Sequence, residues 1–284
     1  MKEGRPSTTA WWVAALRGLA SSTEGAIIAD PVAERLIPAP YDRILAFARR
    51  HPRFMTALHA LADEATRGRS RHLPLRTRAI DDAVIAAVSR GVRQLVLLGA
   101  GLDARPWRLE ALRDVTVFEV DHPIMQAYKR PRVEALPPRA REVRFVASDF
   151  ERDDVSAHLA AAGHDATLES VFVWEAVTMY LSREAIDRTL TGVAARCAPA
   201  STLLITYFLP VDRSGLDARV LQALLERVGE PVTTELLPAD IARVLFEHGF
   251  DVTADEGDPE WSQRYLGRPQ PWTLERLVHA SRRG

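Results

Sequence analysis

The segment LVLLGAGLDARPWRL, Leu95 to Leu109, opens as an apolar run, breaks at Gly99 and Gly101, and then carries an acid, Asp103. Glycines at the end of a strand let the backbone turn sharply and let a ligand lie against it. GAGLDA also satisfies G-x-G-x-x-A, the dinucleotide pattern in which a pyrophosphate rests on a helix N-terminus. Asp103 would stand beside that anion and repel it, and Pro106 breaks the following helix early. Taken alone, the loop also fits a plain tight strand–helix turn.

Three other apolar runs end in residues that can bind or orient a ligand. FEVDHP places Glu119 and Asp121 two residues apart, on one side of a strand. An acid at that place accepts hydrogen bonds from ribose hydroxyls. ASDF offers Asp149 to an adenine amino group and Phe150 to the ring face, although the same residues also suit a helix cap opening FERDDV. FVWEAVTMYL places Glu175 directly beyond a strand, as a cleft acid or a paired structural carboxylate, with Ser182 and Glu184 starting the next helix. A ligand with cationic groups and no phosphate suits Asp103 best. S-adenosylmethionine, which carries an ammonium, a sulfonium and a carboxylate, is such a ligand.

The elements that must position these residues are α/β. RQLVLLGAG, VTVFEVD, EVRFVASDF, ESVFVWEA and STLLITYFL are short β-rich runs, most of them continuously apolar as doubly covered strands must be. SREAIDRTLTGVAARC and GLDARVLQALLERVGE follow the fourth and fifth runs as helices. LPADIARVLFEHGF is a further helix before FDVTADEG, and the tail TLERLVHASRR holds a short last strand. Alternation of this kind predicts a parallel sheet with helices on both faces and a site at the carboxyl ends of its strands. The first ninety residues read as helices: WWVAALRGLA, then DPVAERLI with Asp30 at the cap, then TRAIDDAVIAAVSRG with Ile80, Val84, Ile85 and Val88 on one stripe. We divide the chain into a helical lid, residues 1–90, and a Rossmann-like core, residues 91–284.

The 284 residues carry 37 Lys+Arg against 38 Asp+Glu, a formal net charge of −1, which gives no electrostatic reason to expect nucleic acid. A single cysteine, Cys197, permits no intrachain disulfide and reads as a small buried hydrophobe. With no signal-peptide pattern and no long apolar run, we expect a soluble cytoplasmic protein away from membranes. The histidines are dispersed, without H-E-x-x-H or a Cys/His cluster, so no metal is expected. His51, His59 and His72 read as surface or packing residues.

In ALRGLAS, IIADPVAERL, RTRAIDDAV, LVLLGAGLDARPWRL, VFEVDHP, SDFERDDV and WEAVTMYL, in that order over about residues 12 to 192, the chain resembles the leucine carboxyl methyltransferase family, in particular its bacterial branch. The resemblance implies a class I methyltransferase fold: a seven-stranded sheet with its last strand antiparallel, and a helical lid over S-adenosylmethionine. It implies that Arg76 binds the methionine carboxylate, with Arg17 in a similar role. Gly99, with Ala100 and Gly101, would lie against the cofactor. Asp121 and the neighbouring His122 would sit at the ribose, Asp149 and Phe150 at the adenine, and Glu175 at the amino-acid end. Bacterial relatives often read EGLLMYL where this chain has EAVTMYL, so Ala176 and Thr178 alter packing beside the cleft. They also often carry Thr where this chain has Ala104.

The implied activity is O-methylation of a carboxylate or hydroxyl in a small-molecule or peptide-like acceptor. A carboxylate needs no general base near neutral pH, because its ordinary pKa is about 4; an alcohol or phenol needs one. Glu175 and His122 are the catalytic candidates, Glu175 to orient the cofactor's ammonium and His122 as a weak base. Trp11, Trp12, Phe54, Met55, Tyr207 and Phe208 either line an acceptor pocket or belong to the core. Two other readings stand beside this one: a nicotinamide-dependent dehydrogenase resting on GAGLDA and VFEVD, and a non-catalytic S-adenosylmethionine-binding protein. The oligomeric state has no sequence signature.

Overall fold

The computed structural model describes residues 6–39, 41–66, 68–210, 230–270 and 274–284. Its sheet has seven strands: β1 (Gln94–Leu98), β2 (Thr116–Asp121), β3 (Glu142–Ala147), β4 (Ser170–Trp174), β5 (Thr202–Phe208), β6 (Phe250–Glu256) and β7 (Glu275–Arg282). They lie in the order β3-β2-β1-β4-β5-β7-β6. The first five are mutually parallel, and β7 runs antiparallel to both neighbours. The last strand is eight residues long and inserts between β5 and β6, with TLERLVHASRR supplying it. Chain order reverses between β1 and β4, so the crevice at their carboxyl ends is the topological switch point where such sheets bind ligands.

Burial explains the sequence pattern. Every residue of β1 and β4 is buried, which is why both read as unbroken apolar runs. Val96, Phe118, Phe172 and Leu203 face one core with Leu159, Leu190 and Leu245. Leu95, Leu97, Val117 and Val171 face the other with Leu75, Ile80, Val84 and Trp261. Strands β3 and β6 lie at the edges and are only partly buried.

The N-terminal helices are α1 (Thr8–Ala20), α2 (Ala33–Leu36), α3 (Tyr41–Arg50), α4 (Pro52–Ala65) and α5 (His72–Ser89). Those within and after the sheet are α6 (Arg105–Arg108), α7 (Pro123–Val133), α8 (Val155–Ala161), α9 (Arg183–Ala194), α10 (Pro238–Glu247) and α11 (Asp258–Leu266). A third apolar cluster, with Ala14, Leu36, Leu45, Leu102, Trp107 and Met125, ties α1 to α3 onto the β1–β2 side of the molecule. Gly18 lets α1 and α3 approach, since a Cβ there would lie 2.6 Å from Leu45 Cδ1.

Two boundaries differ from the sequence reading. DPVAERLI yields only the one-turn α2: Asp30 Oδ1 does accept from the Val32 and Ala33 N–H groups, at 3.2 and 2.9 Å, but Ile37 is extended before Pro38, as a residue preceding proline prefers. FERDDV does not open a helix; Asp154 caps α8 from Val155 onward, accepting from Ser156 N–H at 2.8 Å. The GLDARVLQALLERVGE helix and the end of TYFLPVDRSG fall outside the described residues, apart from Glu230 and the stretch to Pro210.

Candidate active site

A cavity of about 550 Å³ opens at the carboxyl edge of β1, β2, β3 and β4, and α1 forms one wall with Ser7, Thr9, Ala10, Val13 and Arg17. Arg17, Arg76, Gly99, Ala100, Gly101, Asp121, His122, Asp149, Phe150 and Glu175 all line it. The residues expected to act together are therefore brought together by the fold.

The glycine loop is built for close approach. Gly99 has φ +67°, and a Cβ on it would lie 2.3 Å from Val177 Cγ2, so no side chain fits. The N–H groups of Gly99 and Ala100 both donate to the Val120 carbonyl, at 2.8 and 3.1 Å, which folds the loop back over β2. Gly101 N–H then donates to Asp121, and His122 N–H donates to Asp121 Oδ1 at 2.6 Å. Burial raises the Asp121 pKa above the usual carboxylate range, and these backbone donors oppose that rise. Glu119, on the same side of β2, does not line the cavity; it is sealed inside with Lys129 at 2.7 Å and pushed up to about 7 by burial.

His122 caps α7, its Nδ1 accepting from Ile124 N–H at 3.3 Å. In a neutral ring that bond leaves the proton on Nε2, and His122 lines the cavity. Beyond β3, the buried Ser148 Oγ has no hydrogen-bond partner and lines the cavity. Asp149 Oδ1 accepts from Glu151 N–H at 3.1 Å, and Phe150 packs against Trp174 with ring centres 6.1 Å apart.

At the opposite end the charges are dense. Glu175 accepts from Arg76 Nε at 3.0 Å and from Arg105 Nη1 at 2.8 Å. Burial would raise its pKa, but the two guanidinium groups hold it at about 2. Arg76 Nη1 donates to Glu275, and the buried Arg76 Nη2 has no partner. Arg17 is occupied differently, with Nε on Asp30 at 2.8 Å and Nη2 on the Leu102 carbonyl at 2.6 Å.

Sequence reasoning missed several residues. Arg105 is the centre of the network: Nε meets Asp81 at 2.7 Å and Nη1 meets Asp103 at 2.5 Å. Asp103 is thus a neutralised acid, held ionised by Arg105 against burial, and by itself would repel a phosphate less than the sequence suggests. The question that would have found Arg105 is what cation balances two buried acids at one strand edge. His72, expected on the surface or in packing, instead bridges Asp258 (2.9 Å) and Glu275 (3.0 Å). Glu230 closes the cavity by accepting from the N–H groups of Thr8 and Thr9 at the start of α1, at 3.0 and 3.3 Å. Tyr180 also lines the cavity, its phenol pushed up to about 12 by burial.

None of the six apolar residues offered for an acceptor pocket lines this cavity. Tyr207 is sheet core, its hydroxyl 2.8 Å from Asp255, while Trp12 and Phe54 are 42% and 57% exposed. Ala176 has φ +56°. Thr178 is buried, its hydroxyl donating to the Thr206 carbonyl at 2.7 Å, so it fastens the segment to β5.

The group implied by the loop fits these residues on two structural grounds. A buried guanidinium nitrogen without a partner suits a ligand carboxylate, and a buried unpartnered hydroxyl, Ser148, stands near Asp149 and Phe150 at the far end. Comparison with known proteins agrees. A protein of Mycolicibacterium gilvum named as an inferred S-adenosyl-L-methionine-dependent methyltransferase is 39% identical over 78% of this chain and 72% of its own. One of the same name from Mycobacteroides abscessus is 32% identical over 93% and 89%. A methyltransferase-like crystal structure from Thermobifida fusca shares the fold with TM-score 0.58 at 17% identity, covering 100% of this chain and 97% of that one. Residues 10–194 match the family described as leucine carboxyl methyltransferase, and the chain belongs to that family.

Proposed function

We propose that the protein is an S-adenosylmethionine-dependent O-methyltransferase whose acceptor oxygen is a carboxylate of a small-molecule or peptide-like metabolite. The observation that carries this reading is Arg76, which lines the cavity, is held by Glu175 through Nε and by Glu275 through Nη1, and keeps a buried Nη2 without a partner. Family membership supports methyl transfer and sets the dehydrogenase reading aside.

When bound, the cofactor supplies a methyl group on a sulfonium, open to in-line attack. The chain's residues hold and shield. Arg76 would receive the methionine carboxylate, Glu175 would offer carboxylate charge to the ammonium, Asp121 would accept from the ribose, and Ser148, Asp149 and Phe150 would flank the adenine. Alignment of acceptor and methyl would supply much of the rate, and any water displaced from the cavity on binding would favour attack by an anionic oxygen.

The choice of carboxylate over hydroxyl rests on the state of three lining residues, Glu175, His122 and Tyr180. Glu175 is held at about 2, too weak a base to deprotonate an alcohol. His122 Nδ1 is taken by Ile124 N–H, and the Tyr180 phenol is held neutral near pH 7. A carboxylate acceptor is already ionised. The test is incubation of the protein and a cell extract with methyl-labelled cofactor, followed by mild alkali. Label released as methanol marks a methyl ester and supports the reading. Label retained on an alkali-stable ether or on nitrogen overturns the carboxylate assignment, and no incorporation favours a non-catalytic binding protein.

A further inference from the structure

The cavity's carboxylate-binding edge is only one face of a longer chain of buried charges. Glu275, on β7, meets Arg76 Nη1 on one side and His72 Nε2 on the other, the latter at 3.0 Å. His72 Nδ1 lies 2.9 Å from Asp258 Oδ2 at the start of α11. The sequence runs Asp258, His72, Glu275, Arg76, Glu175, Arg105, alternating in sign from one side of the sheet to the cavity. His72 and Arg76 stand four residues apart on α5, so both reach the same carboxylate. The Asp258 and Glu275 side chains are almost fully buried, and the His72 side chain is 15% exposed.

We propose that His72 is a positioning residue for cofactor binding: as an imidazolium it balances Glu275, so that Arg76 keeps enough positive charge and a fixed enough orientation to present Nη2 to the cofactor's carboxylate. The inference rests on the reading of Arg76 given above. Its physical basis is a count of charges on one guanidinium. Arg76 already faces two carboxylates, Glu175 and Glu275. Without a second cation on Glu275, a third carboxylate would enter a site with excess negative charge in a buried environment, where such imbalance is costly. Two carboxylates on the ring hold His72 protonated to about pH 9 against burial, which opposes the charge. Among the described residues, the groups facing His72 include Asp258 from α11, Glu275 from β7 and the Trp261 ring, 6.0 Å away. The Arg71 guanidinium, just before α5, is turned to Asp63 at 2.6 Å.

The experiment compares S-adenosylhomocysteine with 5′-methylthioadenosine, which keeps the nucleoside but lacks the amino-acid end. Affinities are measured by calorimetry for wild type, Arg76→Lys and His72→Gln, which preserves hydrogen-bonding capacity but not charge. We expect His72→Gln to weaken S-adenosylhomocysteine roughly tenfold at pH 7, the scale of one hydrogen bond to a charged group, and to leave methylthioadenosine unchanged. The advantage of wild type over His72→Gln should vanish as pH rises through about 9, where His72 loses its proton.

The inference is overturned if Arg76→Lys loses S-adenosylhomocysteine selectively while His72→Gln does not. It is also overturned if His72→Gln weakens both ligands alike, which marks a structural role. If wild type binds both ligands equally and Arg76→Lys changes neither, the underlying reading of Arg76 has failed, a result distinct from either of these.

Discussion

Arg76 on α5 and Glu175 beyond β4 meet at 3.0 Å through Nε, and with Nη1 on Glu275 that leaves Nη2 as the guanidinium nitrogen without a partner. A guanidinium can hold a carboxylate in a fixed planar geometry, which an ammonium cannot reproduce. Arg76→Lys is therefore expected to weaken S-adenosylhomocysteine by ten- to a hundredfold, on the order of 1.5–3 kcal/mol. Calorimetry on the folded variant checks this, and an unchanged affinity would place the carboxylate elsewhere.

Asp121 has both oxygens within reach of loop N–H groups while its carboxylate lines the cavity. Asp121→Ala should cost a similar ten- to hundredfold in S-adenosylhomocysteine affinity, and methylthioadenosine should suffer equally because it keeps the ribose. Loss for one ligand only would move the ribose contact. Glu119 cannot replace it without breaking its buried pair with Lys129.

The buried network gives stability a pH dependence with two limbs. Glu175 and Glu275 are each held at about 2 by their cations. Folded pKa values below the unfolded ones add stability that is present above about pH 4.3 and lost as pH falls toward 2. His72 is raised to about 9, so its contribution is complete below about pH 6.5 and lost as pH rises through 9. Thermal melts from pH 3 to 10 should lose stability at both ends, and Glu119, raised to about 7 by burial, should add a decline as pH rises from about 4.3 to 7. Arg105→Met, which leaves Asp81, Asp103 and Glu175 short of a cation, should cost about 3–5 kcal/mol. A melting temperature close to wild type would show that water or another cation satisfies those acids.

Ala176 sits at φ +56°, a conformation that costs a residue with a Cβ about 1–2 kcal/mol. Ala→Gly usually destabilises through chain entropy; here Ala176→Gly is expected to leave the melting temperature unchanged or raise it by a few degrees. A clear drop would show that the Ala176 methyl makes packing contacts worth more than the strain.

What the sequence showed follows from what local pattern encodes. The continuous apolar runs became β1 and β4 because both faces of those strands are covered. Asp121 and Glu175 were legible because a strand end dictates where its next residue points. Arg105 and Glu230 were not, because their roles arise from partners 70 residues away for Arg105–Glu175 and more than 200 for Glu230–Thr8. His72 was misplaced for the same reason: Asp258 and Glu275 reach it only after β7 has inserted beside β5. Helix α2 shortened because Ile37-Pro38 overrode an otherwise good start at Asp30.

A carboxylate acceptor also predicts the shape of the rate. With saturating cofactor, turnover should be nearly flat from about pH 6 to 8, since neither acceptor nor Glu175 titrates there. A rise through neutrality abolished by His122→Ala would make His122 a base and the acceptor a hydroxyl.

The most direct test of the account is calorimetric titration of the purified protein with S-adenosylhomocysteine and, separately, with NAD. We predict saturable heat with S-adenosylhomocysteine, one site per chain, and none with NAD. Saturable heat with NAD, or none with S-adenosylhomocysteine at millimolar concentration, would contradict it.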